Sequence, residues 1–164
     1  MKFHDTTETY PPPSAMIPEL SVHRVLANKK NEIWSVQPEA LVFEAIQLMT
    51  ERSIGAVLVM QEGRLEGIFS ERDYLRRVIL EDRTSRTTRI HEIMTRDVVT
   101  VGSYDTLQGC MQLMTTRRIR HLPVVDDDEV VGVISIGDVV KASMAQQRHL
   151  LDELERYVSR AAGM

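Results

Sequence analysis

The chain has 164 residues, 43% hydrophobic and 27% charged, the balance of a soluble globular protein with one domain or two half-domains on a shared core. Its 20 Lys and Arg against 24 Asp and Glu give a net charge of −4, which removes the electrostatic case for nucleic acid or an anionic membrane as the main partner. The single Cys110 excludes an intrachain disulfide and a cysteine metal cage, and the absence of a signal pattern or a run of ~20 apolar residues points to a reducing cytoplasm.

Residues 1–21 are polar and contain Tyr10-Pro11-Pro12-Pro13-Ser14, which favours polyproline II in a disordered or extended lead. Val22–Leu26 is a short amphipathic helical turn, and Ile33–Val36 a short strand that Pro38 ends. Glu39–Arg52 is predicted as a helix, with Phe43, Ile46 and Met49 at spacing three and Ala45 and Leu48 widening the stripe. Ala56–Met60 and Leu65–Ser70 are strands joined by a hairpin turn at Gln61-Glu62-Gly63-Arg64. Asp73–Leu80 follows as a helix with Leu75, Val78 and Ile79 on one side. Residues 81–90 form a polar linker, rich in Thr and Arg, and read as solvated.

Ile90–Met94 matches the first helical turn, and Val98–Val101 is a strand. Asp105–Arg117 is a helix with Leu107, Cys110, Met111 and Met114 inward, where Gly109 permits close packing. His121–Val125 and Val130–Ser135 read as strands buried on both faces, separated by the acidic turn Asp126–Glu129. A helical pattern then runs from Asp138 through Leu150, Leu151, Leu154, Tyr157 and Val158. This tail has no counterpart in the first half and no remaining core to cover, so it suggests a partner surface, most simply a second copy.

A shift of 65 residues lays Ser35–Tyr74 on Thr100–Val139 without a gap, and 11 of the 40 positions are identical. Chance gives about two or three. One supersecondary unit is therefore used twice. Ser70-Glu71-Arg72-Asp73 and Ser135-Ile136-Gly137-Asp138 fall at equivalent strand ends. Ser-x-x-Asp ahead of an apolar helix has the form of a capping box. The same helix N-terminus accepts a phosphate, and the carboxylate accepts ribose hydroxyls. The two uses are not exclusive. The five His have no zinc spacing, Asp126–Glu129 lacks the ligand spacing of a calcium loop, and no base is fixed near Ser70 or Ser135 to activate a nucleophile.

The repeat resembles the cystathionine-β-synthase (CBS) domain, and the pair resembles a Bateman module. The residues that carry this are Ile93-Met94-Thr95, Val99-Thr100-Val101, Arg120-His121-Leu122-Pro123-Val124 and Gly132–Asp138, with Ser35-Val36, Ile54–Val59 and Gly67–Asp73 in the first copy. The resemblance implies an α/β (α+β) fold of two β-α-β-β-α repeats packed about a pseudo-twofold, at 22–80 and 91–142, followed by a helical extension at 143–164. It implies a regulatory, non-catalytic, dimeric protein that binds an adenine nucleotide reversibly: AMP first, with ATP, ADP or NAD(H) as alternatives and no metal required. Ser70 and Ser135 would face phosphate, and Asp73 and Asp138 would hold ribose. The backbone at Gly55, Ala56 and Val57 and at Arg120, His121 and Leu122, running on to Pro123, would border the adenine, with Ser35 and Thr100 beside the base. Arg72, Arg118, Arg120 and His121 would supply cationic and hydrogen-bonding groups for phosphate, the alternatives being a surface ion pair for Arg72 and a packed structural imidazole for His121. The alternative is a constitutive docking module in which the Ser-Asp pairs only cap helices.

Overall fold

The computed structural model describes residues 19–30 and 32–162. The polyproline reading at residues 10–14 lies outside them. The elements are α1 (Val22–Ala27), β1 (Ser35–Val36), α2 (Val42–Arg52), β2 (Ala56–Gln61), β3 (Arg64–Ser70), α3 (Glu71–Tyr74) running into a π-helical turn (Leu75–Ile79), α4 (Ile90–Ile93), α5 (Leu107–Arg117), β4 (His121–Asp126), β5 (Glu129–Ser135) and α6 (Ile136–Ala162).

The two hairpins repeat in backbone detail. Ala56 pairs with Ser70 in the first hairpin as His121 pairs with Ser135 in the second, and each has a bulge at the same place, Val59/Met60 and Val124/Val125. Both hairpins turn on two residues with positive φ, Glu62-Gly63 (49° and 78°) and Asp127-Asp128 (49° and 64°). That is the mirror-image turn whose twist suits a two-residue hairpin. Helices α2 and α5 both end on a left-handed residue, Ser53 (φ 53°) and Arg118 (φ 54°), whose N–H groups return to the last turn.

The short leading helices are exchanged. Val22, Val25 and Leu26 of α1 are buried with Leu107, Cys110, Met114, Leu122 and Ile134 of the second repeat. Ile90 and Ile93 of α4, with Met94, are buried with Val42, Ala45, Val57, Phe69 and Val78 of the first. The same backbone bonds fix both crossings: Val22 N–H donates to Asp105 O (2.9 Å) and Leu107 N–H to Leu20 O (2.8 Å), while Ile90 N–H donates to Ala40 O (2.9 Å) and Val42 N–H to Thr88 O (3.0 Å). Leu58 is buried but belongs to neither cluster. It points to the sheet face opposite Val57 and Val59, and β3 and β5 are in contact between the units.

Several expectations need correction. The strand at Val98–Val101 reduces to one parallel bridge, Val101 to Val124. The next N–H, of Gly102, turns to the Asp105 carboxylate (2.7 Å) and so leaves the ladder. Asp105 is thereby a turn residue, and α5 starts after Thr106, whose Oγ1 accepts from Gly109 N–H at 3.0 Å. Gly109 is exposed, so it serves this cap and not close packing. α2 starts at Val42, because Ala40 O and Pro38 O are used by α4. Phe43 (36% exposed) lies outside the core beneath the Arg86 guanidinium of the linker, and Met111 (40%) flanks the buried Leu107–Cys110–Met114 stripe. After Tyr74 the helix widens: Leu80 N–H donates to Leu75 O and Arg83 N–H to Val78 O, both five residues back. Only Val78 stays inside, while Leu75 and Ile79 are 57% and 51% exposed. Such turns concentrate at functional sites.

Gly67 tests the exchange. Ile68 and Thr95 bond reciprocally at 2.9 Å, and a Cβ at Gly67 would lie 2.6 Å from Met94 Sδ and 2.9 Å from the Thr95 carbonyl oxygen. The carbonyl belongs to the backbone and must move. Gly67→Ala should lower stability by ~1–3 kcal/mol, the usual cost of overpacking, read in chemical denaturation. An unchanged midpoint would show that α4 is not held this tightly.

Candidate functional site

Both Ser-x-x-Asp segments form capping boxes. Ser70 donates from N–H (2.9 Å) and from Oγ (2.8 Å) to Asp73 Oδ2, and Asp73 N–H returns to Ser70 Oγ. Ser135 and Asp138 repeat this at 2.8 and 3.0 Å. Strand-end φ/ψ places each Ser at the N-terminus of its helix, so the box satisfies backbone donors that would otherwise be orphaned.

The second partners differ. Asp73 Oδ1 accepts from Thr95 Oγ1 at 3.1 Å, a residue carried in by the exchanged α4 segment. Asp138 Oδ2 accepts instead from Lys29 Nζ at 2.8 Å, and Lys29 also donates to Val133 O at 3.1 Å. Burial pushes the Asp138 carboxyl up, but the Lys29 and Ser135 bonds outweigh it, and its pKa lies below the ordinary 3.8.

Ser70 and Asp73 line a cleft of about 520 Å³ whose far wall is Arg117–His121 of the second repeat. Six arginines line it, at 72, 76, 77, 117, 118 and 120, against two acids, Glu71 and Asp73. Arg72 does not form a surface ion pair: it donates to the carbonyl of Arg118, the left-handed cap of α5, and so ties the two repeats together. Arg77 donates to Ile93 O (3.0 Å) and Met94 O (2.8 Å) and ties the π-helical turn to α4. His121 packs on Gly55, where a Cβ would sit 3.2 Å from its Cε1. The second repeat has Arg120 at the position equivalent to Gly55, so the contact exists once. Burial pushes the His121 pKa below 6.5, and Glu71 pulls it partly back.

This cationic cleft shares Gly55, Glu71 and Leu75 with an apolar cleft of about 700 Å³ in the first unit, which Ile46, Met49, Ile54, Phe69 and Tyr74 also line. A third cleft, about 540 Å³, holds Asp138 with Arg24, Lys29, Lys141 and His149 between α1 and α6.

Of the residues predicted for ligand contact, Gly55, Ser70, Arg72, Asp73, Arg118, Arg120 and His121 line one cleft, and Asp138 lines another. Val57 and Leu122 are buried in the cores and Pro123 is buried, so any approach to them is through backbone. Ala56 is half-buried. Ser135 is engaged in its cap. Ser35 and Thr100 are exposed and line none of the three clefts. Sequence reasoning missed Lys29 and Thr95 as carboxylate partners and Arg76, Arg77 and Arg117 as cleft residues. The exchange of α1 and α4, invisible to periodicity, brings the first two into place.

Comparison with known proteins agrees with the geometry. The CBS domain family matches residues 26–80 and 90–145. The mitochondrial CBS domain-containing protein CBSX3 of Arabidopsis thaliana is 41% identical over 122 residues, covering 71% of this chain and 59% of that protein. The solved structure of a protein with CBS domains from Burkholderia ambifaria superposes with a TM-score of 0.76 at 44% identity, covering 78% of this chain and 96% of that one. A CBS domain pair in complex with 5′-methylthioadenosine and S-adenosyl-L-methionine shares the fold at a TM-score of 0.70 and 23% identity, covering 79% and 99%. Two in-register repeats, each ending a strand in a Ser-x-x-Asp box, are thus two CBS domains, and the chain belongs to the CBS-domain family as a tandem pair.

Proposed function

We propose that the chain is a regulatory sensor of adenine nucleotides. The observation that carries this is the continuity of an apolar cleft with one lined by six arginines. A nucleotide divides in the same way, into a flat base and an anionic phosphate. The base lies against the apolar wall and the Gly55 backbone, the ribose meets Asp73, and the phosphate meets Arg72, Arg118 and Arg120. AMP is the first candidate, with ADP, ATP and NAD(H) in the same class. S-adenosylmethionine carries a positive sulfonium and meets like charge here, although a pair of this fold is found with it. The walls come from both repeats, so a bound phosphate favours the packing that brings them together. Signalling needs only unequal affinity for two packings, without a catalytic step or a metal. The output goes to a partner protein or to the homodimer. The buried thiol of Cys110 suits a reducing compartment, the cytoplasm in this reading.

One observation favours the docking-module reading: both oxygens of Asp73 already have protein partners, Ser70 and Thr95. Thermal unfolding with AMP, ADP, ATP, NAD(H) and S-adenosylmethionine in turn separates the two. A nucleotide at about 100 times its Kd adds ~2.7 kcal/mol to stability. The shift should disappear in Arg118→Ala/Arg120→Ala and shrink in Asp73→Asn. No shift with any of them, in nucleotide-free protein, leaves the boxes as caps alone.

His121 makes binding depend on pH. Its folded pKa lies below its unfolded value of 6.5, so its contribution to stability is complete above 6.5 and is lost as pH falls below it. A phosphate beside the imidazole favours the charged form. Affinity for NAD(H), whose diphosphate does not titrate in this range, should therefore rise as pH falls below 6.5, with proton uptake measurable by calorimetry in buffers of different ionisation enthalpy. His121→Gln should flatten both profiles; unchanged profiles would place the proton elsewhere.

Asp138 has the opposite chemistry and the same direction. Its depressed carboxyl contributes stability above about pH 3.8 that is lost as pH falls through the folded pKa. The pair is partly exposed (37% and 22%), so Lys29→Met should cost about 0.2–1 kcal/mol at pH 7 and raise the midpoint of acid unfolding. An acid midpoint that does not move would mean that Lys29 contributes nothing to Asp138.

A further inference from the structure

Helix α6 has two faces with different fates. Ala142, Ala145, Gln146 and His149 look toward α1 across the third cleft. Val140, Met144, Leu151 and Val158 lie on another face and are 48%, 61%, 60% and 63% exposed. Met144, Leu151 and Val158 are spaced by seven. Val140, Gln147 and Leu154 are also spaced by seven and precede them by four. This is the a/d spacing of a coiled-coil seam sustained over the length of the helix, with one polar residue, Gln147, in the seam. The helix is ~40 Å long, and its last 13 residues, 150–162, run past the α1 cleft. A segment of that length is marginal in water unless it packs against something.

We propose that this face pairs with the same face of a second copy, antiparallel. Charge selects the orientation. The positions flanking the seam on one side are Lys141, Arg148 and Glu155, basic toward the start of the helix and acidic toward its end, and on the other Ser143, Leu150 and Tyr157, which carry no charge. With Met144 facing Leu154 of the second copy, Val140 faces Val158 and Gln147 faces Leu151. Lys141 then lies beside Glu155 at both ends of the pair. Arg148 meets its own copy at the twofold axis, with Asp152 one turn away to offset it. A parallel pair would set Ser143 against Arg148 and Leu150 against Glu155, with no ion pair at all. Gln147 fixes the register, as single polar core residues do.

The test is disulfide cross-linking of full-length protein. Cys110 stays in place, because it is buried and its pKa is pushed up to about 11, chiefly by burial. Met144→Cys and Leu154→Cys proteins are oxidised separately and as a mixture. The expected result is a covalent dimer from the mixture and none from either variant alone. Leu151→Glu, added to both and checked by circular dichroism to be folded, should abolish the cross-linked band. Self-linking of either single variant means a parallel register and overturns the proposal. So does persistence of the band with Leu151→Glu. No cross-link in any combination also overturns it and leaves the face to a helix of another protein. A dimer made elsewhere on the body does not disturb this readout.

Discussion

The fold depends on an exchange of short helices. Neither repeat closes its own core: Val22, Val25 and Leu26 complete the second, and Ile90, Ile93 and Met94 complete the first. Fully burying residues of this kind is worth about 1.5–3 kcal/mol each. The two units are therefore held by core burial, and the contact between sheets has less to do. This fixes where they meet. The chain crosses at Leu41 with Arg89 and at Ser21 with Thr106, and β3 and β5 are in contact between the units. The cationic cleft has one wall from each unit.

That cleft is strongly cationic. Six guanidinium groups around about 520 Å³ repel one another, and Glu71 and Asp73 offset only part of that charge. Two of the groups are held by carbonyl acceptors: Arg72 uses Arg118 O, and Arg77 uses Ile93 O and Met94 O. These bonds also position the groups in advance, so an incoming anion meets ordered donors and loses less entropy in ordering them. The other repeat lacks this design. Ser53 stands where Arg118 does and Gly55 where Arg120 does, and Asp138 is engaged by Lys29. Sequence divergence at a handful of positions has turned one repeated scaffold into two unlike sites.

Much of this was legible in the sequence. The repeat, the hairpins, the helices and the boxes follow from apolar period and turn chemistry, because those are local. The cleft wall at Arg118, Arg120 and His121 was legible because each repeat could be compared with the other. What was not legible depends on long-range closure. The exchange of α1 and α4 leaves no periodic trace, and Lys29 and Thr95 reach the carboxylates only through it. Val98–Val101 reads as strand by composition, yet the Asp105 side chain captures the Gly102 N–H and ends the pairing. Leu75 and Ile79 follow an α-helical stripe that the π-helical turn rotates outward, and the rotation carries Leu75 to the seam between the apolar and cationic clefts.

The two parts of the molecule outside the core are physically joined. Asp138 sits in the first turn of α6, and its box is the N-terminal cap of the helix that bears the apolar seam. Lys29 comes from the end of α1, the helix against which α6 rests. The first half of α6 is anchored on α1, α5 and β5, so the part that runs past the body is its last 13 residues, ~20 Å. The Ser135 cap and the Lys29 pair thus hold the anchored end of the helix whose outer face is exposed, and the third cleft lies against that anchored end.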